Sequence, residues 1–266
     1  MHEWLPWVIG VVAFLYASVG HAGATGYIAV MALAGIAPEA IRPTALALNV
    51  IVAAIGTVQF ARAGHLRGGL LLPLVLTSAP CAALGGGLSL PLRGLEALLS
   101  AVLALSALRQ VVEARRPERP ASGAADGPTS GAAVPLATRL SWPALLALGA
   151  GVGLLSGLTG VGGGVFLTPA LLALRVAPLK TIAAVTAPFI LVNSLAGLVG
   201  RGTFSTAVGL GDISGQTALA VAVGGLLGSQ AGAFQLPVRS LRVMLALVLA
   251  IASLKLLTSS LFPAGG

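Results

Sequence analysis

A glycine-rich interruption of an apolar run is the feature that most restricts how this chain can fold. The interruption covers residues 156–172, SGLTGVGGGVFLTPALL, where five of the first nine residues are glycine and a proline follows. In a helix interior, glycine costs about 1 kcal/mol relative to alanine, and proline costs about 3 kcal/mol. We therefore predict a helix that ends near Ser156, a short irregular turn, and a second helix that begins near Val165.

The composition around this interruption is that of a membrane protein. Of the 266 residues, 57% are hydrophobic and 8% are charged, and the mean hydropathy is +1.00. Several apolar runs approach the roughly 20 residues that cross a bilayer, which predicts an all-α polytopic membrane protein. A break in such a helix persists only inside protein or beside a watery cavity, because lipid cannot satisfy the exposed backbone. Broken helices of this kind hold the substrate in many secondary transporters.

A similar interruption near the N-terminus, at residues 18–26, indicates a duplication. A shift of 140 positions, with small drifts later in the chain, aligns Gly20 with Gly160, Gly23 with Gly163, residues 36–38 with 176–178, Asn49 with Asn193, and residues 90–93 with 236–239. We predict two homologous repeats, at residues 1–112 and 141–266. Each has a glycine-broken helix pair followed by three transmembrane helices. A polar linker rich in Ala, Gly, Pro and Arg joins them at residues 113–140.

The apolar runs also predict individual helices. Residues 4–19 form the first helix rather than a cleaved signal peptide, because no positive segment precedes them. A loop is expected to start at residues 37–39, and Pro43 is expected at the start of the following span. Short helices are predicted at 27–35 and 165–174, and full spans at 44–60, 70–90, 95–112, 182–199, 214–236 and 241–257. Gly228 and Gly232 form a small-xxx-small signature of close helix packing.

The placement of basic residues predicts the topology. They lie at segment ends and in the linker, so the net charge of +8 reflects membrane orientation rather than nucleic-acid binding. The linker holds four arginines, so we expect it in the cytoplasm. Each broken pair could form a hairpin or continue as one bent crossing. A hairpin places Arg175, Lys180, Arg239 and Arg242 on the linker side, which the positive-inside rule favours. The repeats are then inverted in the membrane, with both termini outside.

The glycine turn of the second repeat is a candidate anion site. Backbone N–H groups of Gly163, Gly164 and Val165 would point into a cavity at a helix N-terminus, which carries roughly +0.5 charge and suits an oxyanion. Glycines that only pack neighbouring helices are the alternative interpretation. No G-x-x-x-x-G-K-[ST] sequence is present, and Val165 breaks the G-x-G-x-x-G fingerprint. Both facts argue against a nucleotide site.

His21 is the candidate titratable group, because it lies in the first break and ionisable residues at membrane depth are functional hypotheses by default. It could donate to an anion or accept a proton, and a structural hydrogen-bonded histidine is an equal alternative. No Asp or Glu lies in the middle of a predicted span. Coupling would therefore rest on His21 or on a proton carried by the substrate.

Asparagines and threonines complete the set of polar candidates. Asn49 and Asn193 match across the repeats and lie mid-span, where each could donate its amide N–H to substrate. Interhelical hydrogen bonding, at about 0.6 kcal/mol on average, is the alternative. Thr25 and Thr159 are weaker candidates, because a threonine in a membrane helix commonly bonds its own backbone. Arg42 and His65 are interpreted as loop residues, though either could attract anions at an entrance.

The motifs resemble those of one known family. Residues 157–171, GLTGVGGGVFLTPAL, resemble the signature of the TauE/SafE sulfite-exporter family, and residues 19–27 and 42–49 resemble its N-terminal motifs. The resemblance extends over both repeats outside the linker. It implies a secondary transporter of small sulfur-containing or organic anions, such as sulfite, sulfoacetate or a similar sulfonate, in the bacterial plasma (inner) membrane. It does not identify the cargo.

The predicted substrate-binding residues belong to the two breaks and the adjoining spans. They are Gly20, His21, Gly23, Thr25, Asn49, Thr159, Gly160, Gly162, Gly163, Gly164 and Asn193. No metal or cofactor is expected, since the three histidines lie far apart and Cys81 is the only cysteine. The expected partners are the anion, the bilayer, a proton or sodium ion for coupling, and a second copy in a homodimer. An anion channel is one alternative. An intramembrane enzyme is another, although Ser18 and His21 have no acid nearby to orient the histidine.

Overall fold

The chain folds into apolar helices. The computed structural model describes residues 3–88, 93–115, 141–202 and 214–261, which contain helices and connecting turns and no strand. The helices are α1 Leu5–Ser18, α2 Ala24–Leu33, α3 Pro38–Arg62, α4 Gly68–Gly87, α5 Arg93–Arg115, α6 Trp142–Thr159, α7 Gly164–Ala173, α8 Leu179–Gly200, α9 Gly215–Gln230 with a π-helical turn at Ala231–Gln235, and α10 Val238–Leu261.

Five of these helical segments are long and apolar enough to cross a bilayer. They are Glu39–Arg62, Gly68–Gly87, Trp142–Thr159, Leu179–Gly200 and Gly215–Gln235. The predicted spans at 95–112 and 241–257 fall within α5 and α10, which have 23 and 24 residues but are not among the five. The all-α polytopic prediction is confirmed. The predicted helix breaks are also confirmed, with boundaries three residues away at Thr159 and Ala24.

Two boundaries differ from the sequence prediction. The expected loop at residues 37–39 and the expected helix start at Pro43 are wrong, because α3 begins at Pro38 and contains Pro43. Proline suits the first helical position, where its missing N–H has no intrahelical partner to lose. α5 also extends to Arg115, through the first three residues of the predicted linker, and Glu113 in its last turns forms ion pairs with Arg109 and Arg242. Residues 116–140 of the predicted linker lie outside the described ranges.

Helices at equivalent positions of the two predicted repeats pack together. α3 packs on α8 and α5 packs on α10. In the first pair, Leu46 faces Gly197 and Gly56 faces Ala187. In the second, the Ser100 hydroxyl donates to the Ser253 carbonyl at 2.8 Å. Early residues of α3 thus meet late residues of α8, so these two helices run antiparallel. α5 and α10 are also antiparallel, because Glu113 near the end of α5 contacts Arg242 near the start of α10.

Glycine stripes form two further large helix contacts, α4 with α6 and α1 with α9. Gly149, Gly153 and Gly157 of α6 lie on the backbone of Leu74, Ser78 and Ala82 of α4. Gly224, Gly228 and Gly232, from α9 and its π-helical turn, lie on Gly10, Phe14 and Ser18 of α1. A Cβ at any of these six glycines would overlap a carbonyl oxygen of the neighbouring helix. Both seams run parallel, and the predicted packing role of Gly228 and Gly232 is confirmed.

Both broken pairs turn back on themselves. Gly26 of α2 lies against Val12 of α1, and the hydroxyls of Tyr16 and Thr25 lie 2.7 Å apart. In the second pair, the last turn of α7 and the last turns of α5 line one small cavity, whose lining includes Arg109, Glu113, Pro169 and Ala173. We call the end of the bundle where α5 finishes the Arg115 end, and the opposite end, where α8 finishes, the Gly200 end. Since α5 finishes at the Arg115 end, the preceding helix α4 starts there. α6 runs parallel to α4 and therefore also starts at the Arg115 end, and α7 returns to that end.

Candidate functional site

The two breaks meet inside the protein. His21 of the first break places Nε2 3.1 Å from the carbonyl oxygen of Gly164, the first residue of α7. Its Nδ1 lies 3.1 Å from the carbonyl oxygen of Val19. A neutral imidazole carries one N–H and can donate to one of these carbonyls, whereas an imidazolium donates to both. His21 is buried. The position of its proton determines whether Nε2–H donates to the Gly164 carbonyl, which is the contact that connects the two breaks.

Left-handed glycines produce the second break. Gly160 caps the C-terminus of α6 with φ +73°, and Gly163 caps the N-terminus of α7 with φ +81°. Gly162 between them has φ +80°. An L-residue with a side chain costs roughly 1–2 kcal/mol in this conformation. The run of glycines in the sequence is therefore required by the backbone of the turn itself.

The first break combines a glycine turn with close packing. Gly20 has φ +76°, and an added Cβ there would overlap the backbone of Ala183 on α8. Gly23 has φ +108°, and the ring of Tyr27 lies directly over it. The Tyr27 hydroxyl donates to the Ala22 carbonyl at 2.6 Å. The first break is thus fixed both by its own tyrosine and by α8 of the other predicted repeat.

Asn49 of α3 lies beside the second break with incomplete hydrogen bonding. Its Nδ2 donates to the Val161 carbonyl at 3.4 Å and to the Ser194 hydroxyl at 3.5 Å, both near the limit of a hydrogen bond. Its Oδ1 is buried without a partner among the described residues. Leaving a buried polar atom unpaired costs about 1–3 kcal/mol. Such an atom needs an explanation, and a ligand or ordered water at this position would supply one.

Several backbone N–H groups at the breaks are also unused. Among the described residues, no acceptor is paired with the N–H groups of Gly162, Gly163 or Gly164, and the same holds for residues 22–24. These are the N-termini of α7 and α2, where the first N–H groups of a helix have no intrahelical partner. Two sets of unpaired donors at positive helix ends therefore belong to the two breaks.

The structure brings together part of the predicted site. His21, Asn49, Gly162 and Gly164 are linked by the contacts described above, and Gly163 lies in the same turn. The others lie apart from this group. Thr159 donates to its own helix at Leu155 (2.7 Å), Asn193 donates to its own helix at Phe189 (2.8 Å), Thr25 bonds Tyr16, Gly20 lies against Ala183, Gly23 lies under Tyr27, and Gly160 lies under the side chain of Arg42. The Oδ1 of Asn193, like that of Asn49, is buried without a partner among the described residues.

Two serines at the second break were not predicted from sequence. Ser156 is buried beside Gly163, and its hydroxyl has no partner within the described ranges. Ser194 lies beside Gly162 and accepts from Asn49. Ser156 opens the glycine motif and Ser194 follows the matched Asn193, so their positions offered a signal. The sequence did not show which face of α8 points toward the break, and in the structure that face places Ser194 rather than Asn193 beside Gly162.

An apolar helix bundle whose two broken helix pairs meet around buried polar groups defines a multi-pass membrane transporter. The chain belongs to the sulfite exporter TauE/SafE family, whose family model matches residues 7–256. It is 39% identical over 247 residues to a Sinorhizobium fredii protein named "Probable membrane transporter protein y4hK", covering 93% of this chain and 94% of that protein. No solved structure matches the chain. The predicted family is confirmed.

Proposed function

We propose that this protein is a secondary transporter that moves small sulfur-containing or organic anions, such as sulfite, sulfoacetate or a similar sulfonate, by alternating access. The observation that carries the proposal is the meeting of the two breaks, where His21 contacts Gly164 and Asn49 lies against Gly162. The anion is held there, between the N-termini of α2 and α7.

The chemistry of the breaks favours an anion over a cation. Unpaired N–H groups at two helix N-termini are donors at positive dipole ends. The Asn49 Nδ2 group, whose hydrogen bonds to Val161 and Ser194 are long, adds a side-chain donor. The acidic residues whose side chains the structure describes, Glu3, Glu39 and Glu113, lie at segment ends. A sulfite or sulfonate group needs several donors, and these groups supply them without a full buried cation.

The helix directions support inverted repeats. Equivalent helices α3 and α8 pack antiparallel, as do α5 and α10, which is the relation given by a two-fold axis in the membrane plane. Both broken pairs fold back as hairpins that do not cross the membrane, so each repeat crosses it three times, through the three helices that follow its hairpin. We place the 113–140 linker in the cytoplasm and both termini outside, in the bacterial inner membrane.

The packing of the breaks corresponds to an occluded state. His21 and Asn49 are buried, so an anion reaches them only when the two repeats move apart at one end. Protonation of His21 would add a positive charge beside the breaks, which offsets the negative charge of the arriving anion. A proton is therefore our proposed coupling ion, with sodium as the alternative.

The contacts of Ser18 and His21 do not favour the alternative of an intramembrane enzyme. The Ser18 hydroxyl donates to the Leu15 carbonyl at 2.7 Å and to the Met244 sulfur at 3.1 Å. Both nitrogens of His21 lie against backbone carbonyls. The serine and the histidine are thus engaged elsewhere and do not form a nucleophile–base pair.

Uptake of radiolabelled sulfite into liposomes containing the purified chain tests the proposal. A carrier gives initial rates that saturate with sulfite concentration, and unlabelled sulfite trapped inside accelerates entry of the label. A linear rate without such counterflow would instead identify an anion channel. Sulfoacetate, taurine, thiosulfate, sulfate and lactate as competitors then define the substrate. If none of these anions is taken up or competes, the proposal is wrong.

A further inference from the structure

Two arginines from different repeats lie close to the second break at the Gly200 end of the bundle. Arg201, just after α8, donates from Nη2 to the Gly157 carbonyl at 3.2 Å. Arg42, in the second turn of α3, lays its side chain over Gly160, with carbon atoms 3.3–3.6 Å from the position of an added Cβ. The start of one helix and the end of its antiparallel partner thus place both cations at the Gly200 end, where the glycine turn begins.

These cations have no counter-charge among the described residues. Neither forms an ion pair there, and Glu39, one turn before Arg42, lies within 4.0 Å of neither. Arg201 Nε is buried without a partner in the described part of the chain. Burial lowers the pKa of Arg201, and the positive charge of Arg42 lowers it further. Two like charges at one position repel each other, and an anion between them would reverse the sign of the interaction.

We propose that Arg42 and Arg201 form a second anion-binding site, which receives the oxyanion at the Gly200 end before it passes to Asn49 and the glycine turn. The inference rests on the proposed transport function. The two sites lie on one path: Asn49 is two helical turns after Arg42 on α3, about 10 Å at 1.5 Å per residue. The backbone from Gly157 to Gly162 connects them. The planar guanidinium of Arg201 suits the paired oxygens of a sulfite or sulfonate.

Polar groups also lie near each other at the Arg115 end. Lys180 is the second residue of α8, and His65 lies three residues after the end of α3. They are close enough for the lysine charge to lower the pKa of His65. Each end of the α3–α8 pair thus has a basic side chain near the start of one helix and a second titratable group just after the end of the other.

A lipid headgroup offers the same oxyanion chemistry from another source. The geometry points to a free anion, because Arg201 reaches α6 between helices and its Nε is buried rather than facing lipid. Liposomes of phosphatidylcholine alone, and liposomes that also contain phosphatidylglycerol, separate the two sources.

The test measures the half-saturating concentration for uptake of radiolabelled sulfite by the full chain. Arg201→Gln should raise it about tenfold, as for loss of a charge-assisted hydrogen bond. Arg42→Gln should raise it about threefold, because Arg42 is exposed and its charge is screened. Arg62→Gln, on the same helix as Arg42 but at the opposite end, is the matched control and should leave it unchanged. Arg201→Lys keeps the charge without the planar fork and should give an intermediate value.

The outcomes separate the inference from the function on which it rests. If wild type takes up sulfite and both glutamine variants match Arg62→Gln, the second site is wrong while transport stands. If the variants differ from wild type only in the vesicles with phosphatidylglycerol, the arginines bind lipid and the inference is also wrong. If wild type takes up none of the anions, both proposals fail. Melting temperatures exclude misfolding, and Arg42→Gln decides the matter if Arg201→Gln does not fold.

Discussion

Alanine at Gly163 separates a binding glycine from a packing glycine. At φ +81° an alanine costs roughly 1–2 kcal/mol of backbone strain. Its Cβ would lie 3.0 Å from Phe189 Cε1 and 3.1 Å from Ser156 Cβ, so both side chains must shift by a few tenths of an ångström. The same methyl would stand beside the N–H groups proposed to bind the anion. Losing one hydrogen bond to a charged ligand costs about 1.5–3 kcal/mol, which is about a ten- to hundredfold loss of affinity.

Gly153→Ala is the matched comparison. Gly153 lies in α6 against the backbone of Ser78, which cannot move as a side chain can. Overpacking of this kind costs typically 1–3 kcal/mol, with no donor lost at the turn. We expect Gly153→Ala to lower the melting temperature at least as much as Gly163→Ala, while sulfite affinity falls mainly in Gly163→Ala. Gly163→Val should abolish binding.

Melting temperature and sulfite affinity, measured on the same preparations, decide between the two roles. Thermal shift over a sulfite titration gives both quantities for each variant. If the alanine and valine variants at Gly163 bind sulfite like wild type while melting well below it, the glycines of the turn only pack helices. The proposed site would then be misplaced.

Four further predictions follow from the same contacts. His21→Ala should reduce anion uptake by more than its loss of stability explains, and normal uptake at every pH by an equally stable variant would make His21 structural. Asn49→Ala should weaken sulfite binding about tenfold, whereas Asn193→Ala should leave affinity unchanged, because Asn193 bonds its own helix; equal effects in a binding titration would contradict this. Because the pKa of His65 is lowered in the fold by burial and Lys180, the neutral form stabilises the protein above the usual pKa of about 6.5. That contribution should disappear as the pH falls through the lowered value; the melting temperature of wild type relative to His65→Gln should therefore fall on acidification, and a difference that does not change with pH would refute the assignment. In a variant lacking Cys81, a cysteine at either terminus should react with an impermeant reagent in intact cells and one in the 113–139 linker should not; the reverse labelling would exclude the proposed topology.

The breaks could be located from sequence because their cause is local. The glycines at 160, 162 and 163 adopt positive φ, and that requirement is written in the residues themselves. The helix start at Pro38 was less accessible, since two prolines five positions apart offered competing starts, and the sequence alone favoured Pro43.

The assembly of the site was not accessible in the same way. His21 and Gly164 are 143 positions apart, and their contact depends on how two hairpins cross inside the bundle. The burial of Arg201 against Gly157 likewise depends on the packing of α8 beside α6. The distribution of basic residues in the sequence predicted that Arg201 lies at a segment end, but not that it contacts Gly157 beside the second break.

The parallel seam between α1 and α9 has a consequence for biosynthesis. Gly224 of α9 lies on Gly10 of α1, about 200 residues earlier in the chain. At roughly 5–20 residues per second, the ribosome needs about 10–40 s to make that interval. During this time the N-terminal hairpin, with His21 and its unsatisfied backbone, is already synthesised but has no seam to join. α1 thus leaves the ribosome long before the helix that packs along it, and until α9 is made that face of α1 must be covered by lipid or by the insertion machinery.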